Sequence, residues 1–432
     1  MNIVVVGSGG REHAIIKKLK ENQDIKNIYA LPGNGGISYD AKCVDIKATQ
    51  IEEIVNFSVS NNIDYVVVAP DDPLVLGCVD KLAEKGIKSF GPNERAAIIE
   101  GSKVFSKNLM KKYNIPTAKY ETFNNSEKAI EYIKSENTYP TVIKADGLAL
   151  GKGVIIAQDE KEAINAINDI MQDKVFGASG NNIVIEEFLI GPEISVLCFT
   201  DGKTVKPMIS SMDHKRAYDN DKGLNTGGMG TIAPNPYYTK KLEKECMDNI
   251  FIPTIKAMEK EDRTFKGCLY FGLMLTKNGA KVIEYNCRFG DPETQVVLPL
   301  LKGDLLEIMK ACTDGTLDKV EVEFSSEHTA CVIMASGGYP QKYETGLEIK
   351  GLINGNSQNA TVYHAGTKLN GDTLVTAGGR VLGVTAKGDN LQMALNNAYS
   401  AVKTIDFENV HYRNDIGKKA LEVSQLNKNV SG

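Results

Sequence analysis

The sequence predicts a multidomain α/β and α+β protein that opens with a helix-wound parallel sheet. Three observations carry that prediction. The chain has 432 residues, too many for one ordinary core of about 100–200 residues. Residues 1–90 alternate short apolar runs with helical segments, the pattern of parallel strands joined by crossovers. Residues 120–190 read as a small α+β unit, and the later chain as strands with few helices between them.

Composition bounds the function. Hydrophobic residues make up 42% and charged residues 24% of the chain, the balance of a globular protein in water. The net charge of −5 lacks the basic excess that nucleic-acid binding requires, while leaving room for a local phosphate pocket. The eight cysteines form no C-x-x-C pair, so reduced thiols and a cytoplasmic setting are expected. Ile3–Val6 has no basic flank and ends at Gly7, unlike a signal peptide. No apolar run approaches the roughly 20 residues of a membrane helix.

In chain order, Ile3–Val6, Asn27–Ala30, Tyr65–Ala69 and Lys88–Phe90 are expected strands. Arg11–Lys20, Ile51–Ser60 and Leu74–Lys85 are the expected helices between them. Ligands of such sheets lie beyond the carboxyl ends of the strands, where Gly7–His13 and Ala69–Pro73 fall. Glu12 stands where G-x-G-x-x-G needs its last glycine, which argues against a dinucleotide site. Gly9 and Gly10 at a helix start suit either an anion or a tight turn, and His13 reads as a helix-surface residue. Ser102 is a fitting N-cap for a helix reaching Tyr113, with Lys103 in its first turn.

Thr141–Ala145 and Val154–Ala157 are strands flanking a glycine-bearing loop that holds Lys152. Such a loop can close over phosphates. Lys144 ends an apolar strand, and a buried amine requires an anion. Helix Glu160–Met171 and strand Ile183–Glu187 follow, then a Gly-Pro turn before Glu193. Further strands are expected at Glu193–Phe199, Thr204–Met208 and Cys268–Leu275, with a long helix at Lys240–Lys260. The segments Asp213–Arg216 and Asn225–Gly230 fall in a long loop, and long loops in compact enzymes are usually functional. The remainder reads as strands with one helix near Asn390–Lys403.

The most informative stretch is Lys281–Gln295. Lys281–Tyr285 alternates as a strand, so Glu284 and Asn286 share a face, with Arg288 following if the strand persists. That face is either the polar side of an edge strand or a site: two hard oxygens suit Mg²⁺ or Mn²⁺, and an arginine grips an acyl phosphate.

Six segments in order carry a resemblance: Gly7–His13, Ile143–Val154, Glu186–Leu189, Asp213–Arg216, Asn225–Gly230 and Asn286–Gln295. Together they resemble the ATP-grasp ligases, and most closely the phosphoribosylamine–glycine ligase family. The resemblance implies an ATP-grasp fold with a Rossmann-like N-terminal domain (1–102) and an ATP-grasp domain (103–325, lid 120–190). A small β-rich C-terminal domain (326–432) completes it. It implies ATP-dependent ligation of glycine to 5-phosphoribosylamine through glycyl phosphate, in purine biosynthesis, by a monomer using Mg²⁺ or Mn²⁺.

The roles it implies are specific. Lys103, Lys144 and Lys152 would meet phosphates. Glu186 and the backbone of Leu189 would meet adenine, Glu187 would join the ATP site, and Glu193 would meet the ribose. Glu284 and Asn286 would hold metal, and Arg288 would face the acyl phosphate. Asp213, Lys215, Asp291 and Glu293 would grip glycine. Gly9, Gly10, Arg11, Asp71 and Arg380 would face phosphoribosylamine. Two departures stand out: Asp71 replaces the family's usual glutamate, and strand Cys268–Leu275 offers no second acidic metal ligand. Rival readings are another ATP-grasp ligase or carboxylase, a nicotinamide-dependent oxidoreductase, and a non-catalytic nucleotide-binding regulator.

Overall fold

A computed structural model describes residues 1–148, 153–352, 356–357 and 360–430. Lys152 lies outside the described residues. Among the described residues, a five-stranded parallel sheet runs in the order Lys42–Cys43, Asn27–Pro32, Asn2–Gly7, Tyr65–Val68, Lys88–Phe90. Its central strands are apolar throughout because helices cover both faces: Val4, Val5, Val6, Val66 and Val67 are fully buried. Each such side chain contributes about 1.5–3 kcal/mol of burial.

The expected helix Leu74–Lys85 is instead two, Asp71–Val75 and Cys78–Glu84. They part at Gly77, whose φ of +78° no continuous helix accommodates. Helix Glu94–Gly101, unforeseen in the sequence, is capped by Asn93, and Ser102 caps Lys103–Lys112 as expected.

The next unit is an antiparallel sheet ordered Tyr120–Phe123, Ile183–Glu187, Thr141–Ala145, Val154–Ala157. Helices Ser126–Glu136 and Glu160–Met171 close a separate small core over it, built around Ile143, Ile167, Ile170 and Ile183. Having its own core lets this unit move as a body.

A third sheet runs Val205–Pro207, Glu193–Thr200, Gly267–Thr276, Gly279–Asn286. The long helix Lys240–Lys260 is present but wider in the middle, with a π-helical turn at Met247–Phe251 before Pro253. Pro253 has no N–H to continue the regular ladder.

The expected long loop is corrected. Residues 212–233 hold four short strands: Met212–Asp213, Arg216–Tyr218, Lys222–Asn225 and Gly230–Ala233. Two of these join a six-stranded sheet with His328–Ala335, Arg380–Gly388, Ala360–His364 and Asn356–Ser357. The C-terminal sheet is thus completed by chain from the middle of the sequence, which no local periodicity reveals. Helix Leu391–Val402 packs on it, and a last helix, Lys418–Val430, was not foreseen.

Candidate active site

A cleft of about 530 Å³ opens between the Tyr120–Glu187 unit, strand Gly279–Asn286 and the N- and C-terminal sheets. Glu284 and Asn286 both line it, as the two-residue period requires. The ladder to the neighbouring strand pairs Val282 with Leu273 and Glu284 with Gly272, leaving Ile283 as a bulge. The carbonyl of Ile283 accepts from Lys144 Nζ at 3.1 Å.

Cations converge on Glu284. Burial pushes its carboxyl up, but Lys215, Lys144, Lys103 and Arg288 outweigh burial and hold it below the usual carboxylate range. Lys215 Nζ lies 3.5 Å from Glu284 Oε1 and 3.5 Å from Glu193 Oε2. Lys103 Nζ donates to the Gly147 carbonyl at 2.7 Å, and burial depresses its ammonium.

Lys144 has a partner the sequence did not reveal. It stands opposite Val184, and Glu186 opposite Val142, so the two are diagonal neighbours on one face. Lys144 Nζ is 3.0 Å from Glu186 Oε1, and Lys107 Nζ is 3.0 Å from Glu186 Oε2. Lys107 follows Lys103 by one helical turn, a spacing that was the available signal. Burial pushes the Lys107 ammonium down to about 8 despite Glu186. Glu187 also lines the cleft, but its carboxylate is engaged at the cleft's edge, meeting Lys281 Nζ at 2.7 Å and the Lys119 N–H at 2.9 Å. Leu189 lines the cleft.

Arg288 faces the cleft with its guanidinium already braced. Nη2 is 2.8 Å from Glu100 Oε1 and 3.7 Å from Asp71 Oδ2, while Nε has no hydrogen-bond partner among the described residues. Glu100 was missed because its helix was. Burial raises the Asp71 carboxyl, but Arg288 and Arg11 prevail and hold it low. Arg11 donates to Glu12 Oε1 at 2.8 Å and to the Phe289 carbonyl at 2.9 Å. Glu12 turns back to accept the Gly9 N–H at 2.6 Å, which explains the carboxylate in place of a third glycine. Gly9 and Gly10 pack beneath Asp291 and Gln295. A Cβ on Gly10 would come 2.5 Å from Gln295 Nε2.

Asp291, Glu293, Asp213 and Arg380 meet at one end. Arg380 Nη2 lies 3.5 Å from Asp291 Oδ1, and Gln295 Nε2 donates to the same oxygen at 2.8 Å. Burial and the neighbouring Glu293 push the Asp213 carboxyl well above the usual range, against Lys215 and Arg380. Glu293 is buried and accepts from Ser195 Oγ at 3.3 Å.

The histidines stand apart from the cleft. His13 is buried rather than on the helix surface: Nδ1 accepts the His364 N–H at 2.8 Å, and Nε2 meets Asp40 Oδ2 at 2.9 Å. His214 is buried too, its Nε2 accepting the Gly417 N–H at 3.0 Å and its Nδ1 facing the Gly230 carbonyl at 3.1 Å.

Among the described residues, no group of three or more His, Cys, Asp or Glu side chains could hold a metal ion. Glu284 and Asn286 offer two hard oxygens in an open cleft, which fits Mg²⁺ or Mn²⁺ completed by substrate phosphates and water.

Comparison with known proteins agrees with this architecture. Models of phosphoribosylglycinamide synthetase match along the chain: the N domain at residues 1–100, the ATP-grasp (A) domain at 101–294 and the C domain at 329–419. A phosphoribosylamine–glycine ligase from Caldanaerobacter subterraneus is 48% identical over 96% of this chain and 99% of its own. The crystal structure of the phosphoribosylamine–glycine ligase from Thermotoga maritima superposes with a TM-score of 0.82 at 33% identity, covering 96% of this chain and all of that one. The biotin carboxylase domain of Hydrogenobacter thermophilus 2-oxoglutarate carboxylase shares the fold, with a TM-score of 0.75 at 17% identity over 95% of this chain and 91% of that one. With its helix-wound N-terminal sheet, its ATP-grasp core and its β-rich C-terminal sheet, the chain belongs to the phosphoribosylglycinamide synthetase family.

Proposed function

We propose that the cleft joins glycine to 5-phosphoribosylamine at the expense of ATP, forming N1-(5-phosphoribosyl)glycinamide, ADP and phosphate. The observation that carries this reading is the convergence of Lys103, Lys144, Lys215 and Arg288 on Glu284. That much positive charge around one carboxylate suits a polyphosphate and an acyl phosphate. In this reading residues 103–325 bind nucleotide, with 120–190 as the lid. Residues 1–102 and 326–432 complete the acceptor end.

The chemistry is stepwise. A carboxylate oxygen of glycine attacks the γ-phosphorus, the bond to the β–γ bridging oxygen breaks, and ADP leaves. The amine of phosphoribosylamine attacks the acyl carbon, and phosphate departs with the amine's proton. The protein's part is positioning and charge neutralisation. Lys103 and Lys144 meet phosphate oxygens, with Glu186 orienting Lys144. Glu186 and the backbone of Leu189, both lining the cleft, meet adenine, and Glu193 the ribose. Arg288 meets the acyl phosphate, while Asp213, Lys215, Asp291 and Glu293 hold glycine. Arg11, Asp71 and Arg380 face phosphoribosylamine. Mg²⁺ or Mn²⁺, held by Glu284 and Asn286, would neutralise charge on the transferring phosphoryl oxygens. The lid excludes water, which would hydrolyse the acyl phosphate.

Free thiols at all eight cysteines, seven of them buried, support a reducing, cytoplasmic setting. Among the described residues, no helix is long and apolar enough to cross a membrane.

The test is phosphate release from ATP with Mg²⁺, glycine and fresh phosphoribosylamine, each omitted in turn. Release that needs all of them, with an amide as product, is expected. Turnover independent of glycine but dependent on bicarbonate or another acid would overturn the substrate assignment.

A further inference from the structure

Tyr339 belongs to the C-terminal part of the chain, yet it lines the cleft. Its hydroxyl oxygen accepts the Gly227 N–H at 3.1 Å. The Gly227 carbonyl accepts from Arg380 Nη1 at 2.7 Å, and the same nitrogen donates to the Asp291 carbonyl at 2.8 Å. A glycine of the Asn225–Gly230 segment is therefore held from both sides by the C-terminal part of the chain, by the turn carrying Tyr339 and by the start of strand Arg380–Gly388, and tied to the Asp291 turn. Glycine has no side chain with which to anchor itself, so its placement depends on bonds supplied from outside.

That placement reaches the groups of the cleft. Thr226 donates to the Lys215 carbonyl twice, from N and from Oγ1, both at 2.8 Å. Gly228, at φ +115°, packs so closely on Asp213 that a Cβ would lie 2.6 Å from Oδ1. Displacing Gly227 therefore displaces Asp213, Lys215 and Asp291 relative to one another. Binding groups need placement within about 0.5 Å. The Tyr339 ring itself is seated against Gly379, where a Cβ would come 2.2 Å from Cδ2. Removing its hydroxyl leaves that packing intact.

We propose that Tyr339 is a positioning residue for the amino-acid end of the cleft, acting through the Gly227 peptide on Asp213, Lys215 and Asp291. The assignment rests on the reading of that end as the glycine site.

The experiment is Tyr339→Phe, read by steady-state kinetics and by amide hydrogen exchange. The glycine KM is expected to rise about tenfold and the ATP KM to stay within about twofold. Exchange in a peptide spanning residues 225–230 should quicken about tenfold, with residues 183–200 unchanged and the melting temperature moved by less than about 2 °C. Equal rises in both KM values overturn the proposal. Faster exchange with an unmoved glycine KM assigns Tyr339 a purely structural role and also overturns it, as does unmoved exchange. If the wild-type enzyme forms no product from glycine, the glycine reading falls. The exchange measurement still decides whether Tyr339 holds the segment.

Discussion

Glu100 Oε1 lies 2.8 Å from Arg288 Nη2, while Oε2 of the same carboxylate accepts the Cys287 N–H at 2.7 Å. One buried side chain thus fixes both the guanidinium and the backbone leading into it, on a helix that ends just before Lys103. The N-terminal unit thereby sets the aim of an arginine that lies almost two hundred residues further along the chain.

Arg288→Ala is expected to lower kcat by about 100-fold or more while changing ATP affinity by less than about threefold, because a group that acts on the developing acyl phosphate contributes mainly to the transition state. Glu100→Gln should lower kcat by a smaller factor, about tenfold, since the amide still accepts one bond but no longer pairs with the charge. Steady-state rates with nucleotide binding by calorimetry check both. Equal losses in rate and affinity would count against the role given to Arg288.

Glu186 holds two ammonium groups in a site where all three side chains are under a tenth exposed. Glu186→Ala leaves both cations unpaired, and breaking a buried pair from one side typically costs about 3–5 kcal/mol. The variant should unfold at lower urea concentration and bind ATP at least tenfold more weakly. Unchanged stability would show that water, rather than Glu186, solvates the lysines.

Metal dependence should pass through Glu284. Glu284→Gln is expected to weaken Mn²⁺ binding to the enzyme–ADP complex by tenfold or more, the usual scale for loss of a charged ligand. Titration of the paramagnetic ion reads this without turnover. An unaltered Mn²⁺ affinity would move the metal site elsewhere in the cleft. Chelation of the metal should abolish phosphate release by the wild-type enzyme.

Acid sensitivity should come in part from His214. Burial, reinforced by Arg413 nearby, lowers its imidazole from 6.5 to about 4. Between those values the unfolded chain binds a proton that the folded chain refuses, so stability rises with pH across the window and is lost as pH falls through it. The full shift corresponds to about 3 kcal/mol. The neutral ring is needed because Nε2 accepts the Gly417 N–H. Urea titrations from pH 4.5 to 7 should show this loss in the wild-type protein and a flatter profile in His214→Gln. Identical profiles would remove His214 from the account.

The parts legible in the sequence were those where local pattern and structure coincide. Valine runs marked the parallel strands because both faces of that sheet are covered. The two-residue spacing of Glu284 and Asn286 survived because the bulge falls at Ile283, before the pair. Ser102 announced the helix that carries Lys103. The parts that were not legible depend on distant chain. Glu100 went unnoticed with its helix, and Lys107 drew no notice because only folding brings its partner Glu186 beside it. Residues 212–233 looked like a loop because their short strands find partners only in one another and in the sheet of His328–Ala335. His13 looked exposed because the segment that buries it, around His364, lies some 350 residues away.

From the sequence alone came the order of the units, the helix-wound first sheet, and the residue types whose chemistry suits phosphate and a hard metal. These follow from side-chain periodicity and from motifs whose chemistry is local. Tertiary structure alone decided which charges face one another: Lys107 and Lys144 on Glu186, Glu100 on Arg288, Tyr339 and Arg380 on Gly227. The physical reason is that a buried charge or a bare peptide is stabilised by whatever folding brings within about 3 Å of it, and sequence separation carries no record of that distance.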